Sequence, residues 1–148
     1  MPAWPPVDRN DMRRYLRVLA WAYLLETLGE AAYRTGGMGI GHRAERERWE
    51  LFADTEAAMS LLIREEFLRL GVRPPLRAAQ MTELAARALC GLLGAPLLSS
   101  LIRLVLGRRR YSRWADEFRP RNAPLWDALL EHERRQVEHF EGAWSLGH

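Results

Sequence analysis

The residues from Arg43 to Leu70 read RAERERWELFADTEAAMSLLIREEFLRL and include neither glycine nor proline. Their apolar side chains recur every three or four positions, which is the spacing of one face of an α-helix. Gly71 comes next, and Pro74 and Pro75 follow it closely. Because glycine commonly ends a helix and proline cannot continue one, the pattern predicts a single amphipathic helix over this stretch.

Three further segments show the same helical spacing, and we find no segment in which polar and apolar residues alternate as in a strand. We predict helices over about 10–34, 76–118 and 125–144, the first of them capped by Asp8 or Asn10. Four long helices with short connections predict an all-α fold, specifically an antiparallel four-helix bundle.

The third of these segments is the least regular. Gly91, Gly94 and Pro96 lie within it and are expected to kink the helix or split it in two. The full length of 148 residues allows one domain of ordinary size. We therefore predict a single helical domain over residues 1–148, with a flexible leader over residues 1–9.

Composition excludes several classes of protein. The hydrophobic content of 48% is enough for a buried core, and the net charge is only +3 although all 22 basic residues are arginine. Cys90 is the single cysteine, so an intramolecular disulfide and a two-cysteine zinc or redox site are impossible. The apolar run over 18–25 is too short to span a membrane and lacks a signal-peptide cleavage site, so we expect a cytoplasmic protein.

Three of the predicted helices carry a carboxylate on the apolar stripe. These residues are Glu26, Glu56 and Glu133. An ionised carboxylate in a core is costly, and several that share one site repel each other. They would need shared protons, arginine partners or a bound cation. The alternative is that each glutamate lies at the edge of its stripe and reaches solvent or an arginine.

These glutamates resemble part of the ligand pattern of the ferritin-like di-iron carboxylate superfamily, especially rubrerythrin-type proteins and the demethoxyubiquinone hydroxylases. That pattern has a Glu on the first helix, Glu-x-x-His on the second, a Glu on the third and Glu-x-x-His on the fourth. Here Glu26 is followed by Tyr33, as in the family, and Glu56 and Glu133 stand at the matching places on the second and fourth helices. The resemblance implies a ferritin-like fold and a metal site.

The chain departs from the pattern at the remaining ligands. Met59 and Gln136 stand where the family has histidines, and the third segment has no acid over residues 97–108. The resemblance therefore implies Glu26, Glu56 and Glu133 as metal ligands, with His139 and Glu30 as candidates to complete the set. We expect His132 and His139 to lie half-exposed beside the stripe; the alternative is that His139 turns inward.

Two functions follow from this incomplete set. The first is a non-catalytic binding or assembly protein whose di-iron site has decayed and which holds no cofactor. The alternative is a metal-dependent oxidoreductase or hydroxylase of the di-iron type, which uses iron and acts on an apolar, quinone-like or lipid substrate. An unrelated helical interaction module is a third possibility.

A basic cluster follows an uncharged apolar run. No charge occurs over residues 88–102, and then come Arg103, Arg108, Arg109, Arg110 and Arg113. A buried helix is the simplest interpretation of the run. The alternatives are peripheral contact with anionic lipid on the inner face of the membrane, and a homo-oligomer interface, which we expect in either functional case. The short cluster and the modest net charge argue against a nucleic-acid partner.

Overall fold

The computed structural model describes residues 8–108 and 110–145. This part of the chain is all-helical and contains no strand, which confirms the predicted all-α class, while the four-helix bundle stays a prediction. It comprises α1 (Arg9–Gly37), α2 (Arg43–Arg69), α3 (Leu76–Leu93), α4 (Ala95–Leu106), α5 (Arg110–Phe118), a 3₁₀ turn (Arg119–Arg121) and α6 (Ala123–Ser145).

The first helix is longer at both ends than the sequence predicts. Asp8 caps α1 by accepting a hydrogen bond from the Asn10 N–H at 3.1 Å, so residues 8 and 9 belong to the helix start and not to a flexible leader. Residues 1–7 of that predicted leader lie outside the described residues. At the other end, α1 continues to Gly37 because its last glycines allow close approach of α2. A Cβ on Gly36 would lie 2.7 Å from Cζ3 of Trp49.

The second helix ends within one residue of its predicted end. Gly71 has a φ of +71°, a conformation that glycine adopts without the steric cost other residues meet. Its N–H donates to the Leu68 carbonyl at 3.0 Å, and the Val72 N–H donates to the Phe67 carbonyl at 2.9 Å. These bonds satisfy the last carbonyls of α2 and turn the chain toward α3.

The third predicted segment contains three helices, so the expectation of one kinked helix or two is wrong in number. Gly94, with a φ of +75°, separates α3 from α4. A second break follows α4, where the Gly107 N–H donates to the Arg103 carbonyl at 2.9 Å and α5 begins at Arg110.

Buried apolar residues form two clusters with a polar layer between them. α1 packs against α2 and α3, and α6 contacts α2, α4 and α5. Along α1, α2 and α6, each helix contributes apolar residues to both clusters and buried polar residues at intermediate positions. The first cluster includes Tyr15, Leu19, Ile63, Trp126 and Leu129, and the second includes Tyr33, Trp49, Phe52, Leu98 and Phe140. This layering positions the candidate site.

Within residues 8–108 and 110–145, none of the helices combines the length and the apolar character needed to cross a bilayer.

Candidate metal centre

Three buried side chains from three helices meet in the polar layer. Glu26 of α1, Glu56 of α2 and His132 of α6 are 1%, 5% and 3% exposed. Each offers one ligand atom, and these atoms all lie within 4.8 Å of one another. His132 Nε2 is 3.2 Å from Glu56 Oε1 and 3.9 Å from Glu26 Oε2. The sequence prediction that Glu26 and Glu56 point into the interior is confirmed.

A glycine on α1 makes room for the Glu56 carboxylate. Gly29 lies one helical turn after Glu26, and a Cβ built on it would be 2.6 Å from Glu56 Oε1 and 2.7 Å from Glu56 Cδ. No real Cβ atom tolerates such contacts. The absence of a side chain at this position therefore lets the carboxylate of α2 lie against the backbone of α1.

Two hydrogen bonds fix the orientation of the carboxylates. The Tyr111 hydroxyl donates to Glu26 Oε1 at 2.6 Å, and Gln136 Nε2 donates to Glu56 Oε1 at 2.6 Å. The same Gln136 amide donates to the Tyr33 hydroxyl at 3.0 Å. One oxygen of each carboxylate thus has a neutral protein donor, and the other oxygen of Glu26 faces His132.

The centre of the group contains polar atoms without a well-oriented partner. Glu26 Oε2 and His132 Nε2 are both fully buried, and neither has a well-aligned hydrogen bond among the described groups, although His132 Nε2 lies 3.2 Å from Glu56 Oε1. Buried polar atoms in folded proteins are nearly always hydrogen-bonded, so each exception calls for an explanation. A cation placed between these atoms would supply the missing interaction to both.

The pKa of Glu56 indicates that its neighbours compensate the burial of its negative charge only in part. Burial raises the pKa of the Glu56 carboxyl, and the contacts with His132 and Gln136 offset that effect only in part. Burial also raises the pKa of Tyr111 and of Tyr33, so both phenols keep their protons. A divalent cation would offset the cost of burying the ionised carboxylate. Without a cation, a bound proton removes the charge instead.

Glu133, a predicted ligand, is buried but has another role. Its Oε2 accepts a hydrogen bond from the Tyr111 N–H at 3.0 Å, in the first turn of α5. It is 7% exposed, as its predicted place on the stripe requires. It does not belong to the Glu26–Glu56–His132 group.

The two additional candidate ligands also lie outside the group. His139 Nε2 is 2.8 Å from Glu45 Oε1, near the second apolar cluster. Glu30 forms an ion pair of 3.2 Å with Arg34 on the surface of α1. The side chain of His139 is 19% exposed, so it is more buried than the expected half-exposed position, but it lies outside the Glu26–Glu56–His132 group.

His132 is the candidate ligand whose exposure the sequence predicted wrongly. It was expected to be half-exposed, but α6 is rotated so that His132 and Gln136 face the interior and Val137 is only half-buried. A spacing of three, four and four residues over Leu129, His132, Gln136 and Phe140 is the signal that could have identified it. Met59, at the other position where a histidine is missing, packs against the first apolar cluster.

A largely apolar cavity of about 310 Å³ adjoins the group. Glu26 and Glu56 form part of its wall, together with Tyr33 and Tyr111. Leucines of α1, α3 and α4 also line it, among them Leu28, Leu89, Leu98 and Leu101. The volume is at the lower end of the range for small-molecule sites.

Comparisons of the chain with protein-family models, with curated proteins and with solved structures gave no match. The resemblance to ferritin-like proteins therefore stays a prediction from the residues quoted above.

Proposed function

We propose that the chain binds one divalent transition-metal ion between Glu26, Glu56 and His132. The observation that supports this most strongly is that Glu26, Glu56 and His132 each bring a ligand atom within 4.8 Å of the others in a buried position, with no well-aligned hydrogen bond to Glu26 Oε2 or His132 Nε2. Two carboxylates and one imidazole suit Fe²⁺, Mn²⁺ or Zn²⁺. Two carboxylates also balance the charge of a divalent ion.

The ligand count favours one ion over the pair that the ferritin-like resemblance implies. Among the described residues, no further His, Cys, Asp or Glu joins the three ligands. Glu133 bonds the backbone of α5, and Met59 is part of the apolar packing. In this proposal, the fold is a ferritin-like four-helix arrangement that has kept a reduced version of the metal site.

The adjoining cavity supports an enzymatic role for the ion. The activity we propose is that of a metal-dependent oxidoreductase or hydroxylase, and its substrate is an apolar molecule of the quinone or lipid class. Bound iron would supply the redox chemistry. Tyr111 and Gln136 orient the carboxylates, while the leucines of the cavity bind the apolar substrate and exclude water from the site.

One observation favours a second candidate, a non-catalytic protein with a decayed metal site. Tyr111 and Gln136 each donate to a carboxylate oxygen at 2.6 Å, and these bonds occupy atoms that a larger metal centre would use. In that case Glu56 keeps a proton, which its raised pKa favours, and no metal is held.

The experiment that separates the two candidates is metal titration of the purified chain. The protein is stripped with a chelator and titrated with Mn²⁺ and Zn²⁺ by calorimetry, and elemental analysis follows desalting. We expect one ion per chain. Glu56→Gln should weaken binding more than about 100-fold, because the loss of residues that only support a ligand already costs about 10–100-fold.

The matched control is Glu45→Gln, on the same helix but outside the group. Its carboxylate is half-exposed and contacts Trp49 and His139, so metal affinity should stay at the wild-type value. If the wild-type chain retains no ion, or if Glu56→Gln retains as much as the wild type, the metal proposal is wrong and the non-catalytic candidate takes its place.

A further inference from the structure

The outward faces of α3 and α4 are unusually apolar. Leu84 and Leu92 of α3 are 69% and 85% exposed, and Leu104 of α4 is 63% exposed. The exposed apolar positions of α4 are spaced by four, three and one residues, so they share one face of the helix. They are Leu97, Leu101, Leu104 and Val105. We call Leu84, Leu92, Leu97, Leu101, Leu104 and Val105 the α3–α4 apolar surface. Single exposed leucines are ordinary, but a set at helical spacing marks an interaction surface.

The segment from Leu84 to Ala115 carries only positive charge in its sequence. Residues 84–115 contain six arginines and no aspartate or glutamate, although the net charge of the whole chain is only +3. Arg108 and Arg113 are exposed beside the end of α4, and Arg113 Nη2 donates to the Arg108 carbonyl at 3.0 Å. Arg109 lies outside the described residues. The basic character of the chain is therefore concentrated in the segment that carries the apolar surface.

The internal cavity opens at the same place. Leu28, Leu89, Leu101 and Val105 are all more than one-third exposed, and all four line the cavity that adjoins the metal centre. Arg110 also lines it. The mouth of the cavity thus has exposed leucines and valine around it and an arginine nearby.

We propose that the α3–α4 apolar surface docks on an anionic lipid bilayer, with the exposed Arg108 and Arg113 on the headgroups and the cavity mouth facing the acyl chains. Apolar side chains on one helix face, with exposed arginines at the end of that helix, fit the boundary between anionic headgroups and acyl chains. The surface residues are not metal ligands, so this inference does not rest on the proposed metal binding.

The charge distribution argues against a second copy of the chain as the occupant. A two-fold contact through the same surface would offer the arginines no acids from residues 84–115 of the other copy as partners. A nucleic acid could pair with the arginines, but it would leave the leucines exposed to water. An anionic bilayer satisfies both features at once.

The test is flotation of the metal-free protein with vesicles. We expect binding to vesicles of phosphatidylcholine and phosphatidylglycerol at low salt, and strongly reduced binding at high salt and to pure phosphatidylcholine, since the headgroup attraction is screened. Leu104→Glu should lower the partition coefficient by about tenfold or more, because it places a negative charge in the docking face. Arg108→Glu should lower it by about tenfold.

Matched controls exist on α2. Leu68 is 67% exposed, close to the 63% of Leu104, so Leu68→Glu makes the same change at equal exposure away from the surface. Arg48→Glu is the corresponding control for the charge reversal. Both controls should bind vesicles as the wild type does.

Three results would overturn the proposal. The first is no binding to the anionic vesicles at low salt. The second is an equal loss of binding in Leu68→Glu and Leu104→Glu. The third is a dimer, seen by analytical ultracentrifugation, that Leu104→Glu dissociates, since a second copy would then cover the surface.

Discussion

Glu56 and Glu66 lie ten residues apart on α2 and are 5% and 1% exposed, yet their surroundings are opposite in character. Each oxygen of Glu66 has two donors. Arg69 and the Tyr15 hydroxyl donate to Oε1 at 2.6 and 2.8 Å, and Arg69 and Asn122 donate to Oε2 at 2.7 and 2.8 Å. Glu56 accepts from one neutral amide and shares its pocket with a second carboxylate and an imidazole.

The pKa directions express the same contrast. Burial alone would raise the pKa of Glu66, but the hydrogen bonds from Arg69, Tyr15 and Asn122 outweigh it and lower the pKa. Burial dominates at Glu56 and raises its pKa. We therefore expect two different uses of a buried carboxylate. Glu66 should stabilise the packing of helices, whereas Glu56 should destabilise the metal-free fold, a cost that the proposed ion would offset.

The largest effect is expected at Glu66. Glu66→Ala removes the acceptor for Tyr15, Asn122 and Arg69, and it should lower the free energy of unfolding in urea by about 3 kcal/mol. Glu65→Ala, at the exposed neighbouring position, should change it by less than about 0.5 kcal/mol. A loss below about 1 kcal/mol in Glu66→Ala would contradict the structural role.

A smaller effect is expected from Gly29→Ala, measured as metal affinity. The added methyl group would displace the Glu56 carboxylate, so affinity should fall by about 10–100-fold, which corresponds to about 1.4–2.8 kcal/mol. Gly91→Ala is the control, since the atom nearest to the added methyl group would be Thr35 Cγ2 at an ordinary 3.9 Å. Unchanged affinity in Gly29→Ala would show that Glu56 does not hold the ion.

The smallest effect is expected from Glu56→Gln in the metal-free protein. Because the folded-state pKa is raised, the native state holds this proton more tightly than the unfolded state does. The wild type should lose stability as pH rises from about the ordinary value of 4.5 through the raised pKa, and Glu56→Gln should lack this loss. Near pH 7 the variant should be about 1 kcal/mol more stable by urea unfolding.

The contribution of Glu66 to stability changes with pH in the opposite direction and serves as an internal reference. Its stabilisation is present above 4.5 and declines as pH falls through the lowered pKa. A metal-free Glu56→Gln variant that is less stable than the wild type near neutral pH would remove the contrast between the two glutamates.

Helix α2 and the break at Gly94 could be predicted closely, and the second break in the third segment could not. The limits of α2 depend on local chemistry, because glycine and proline are absent inside it and Gly71 adopts a left-handed φ after it. The break after α4 has only Gly107 as a local signal, beside residues that favour helices. The position of this break depends on how α4 and α5 pack on α6, and the spacing of apolar residues along the sequence does not predict that packing.

The residues of the candidate site that follow from the apolar stripe of a single helix could be predicted. The features that depend on how two helices pack together could not. Glu26 and Glu56 lie on clear stripes and were identified from them. The rotation of α6 is tied to the packing of Trp126, whose ring lies 6.3 Å from that of Tyr15, and this rotation brings His132 inward. The role of Gly29 depends on the approach of α2, so the α1 sequence alone could not reveal it.

The most direct test of the central claim is pulsed electron paramagnetic resonance of the Mn²⁺-loaded protein, which detects the nitrogen of a coordinating imidazole. We expect coupling between the Mn²⁺ electron spin and the nitrogen of one imidazole in the wild type and in His139→Gln. This coupling should be lost in His132→Gln. Failure to bind Mn²⁺, coupling that survives in His132→Gln, or coupling that disappears in His139→Gln would contradict a site formed by Glu26, Glu56 and His132.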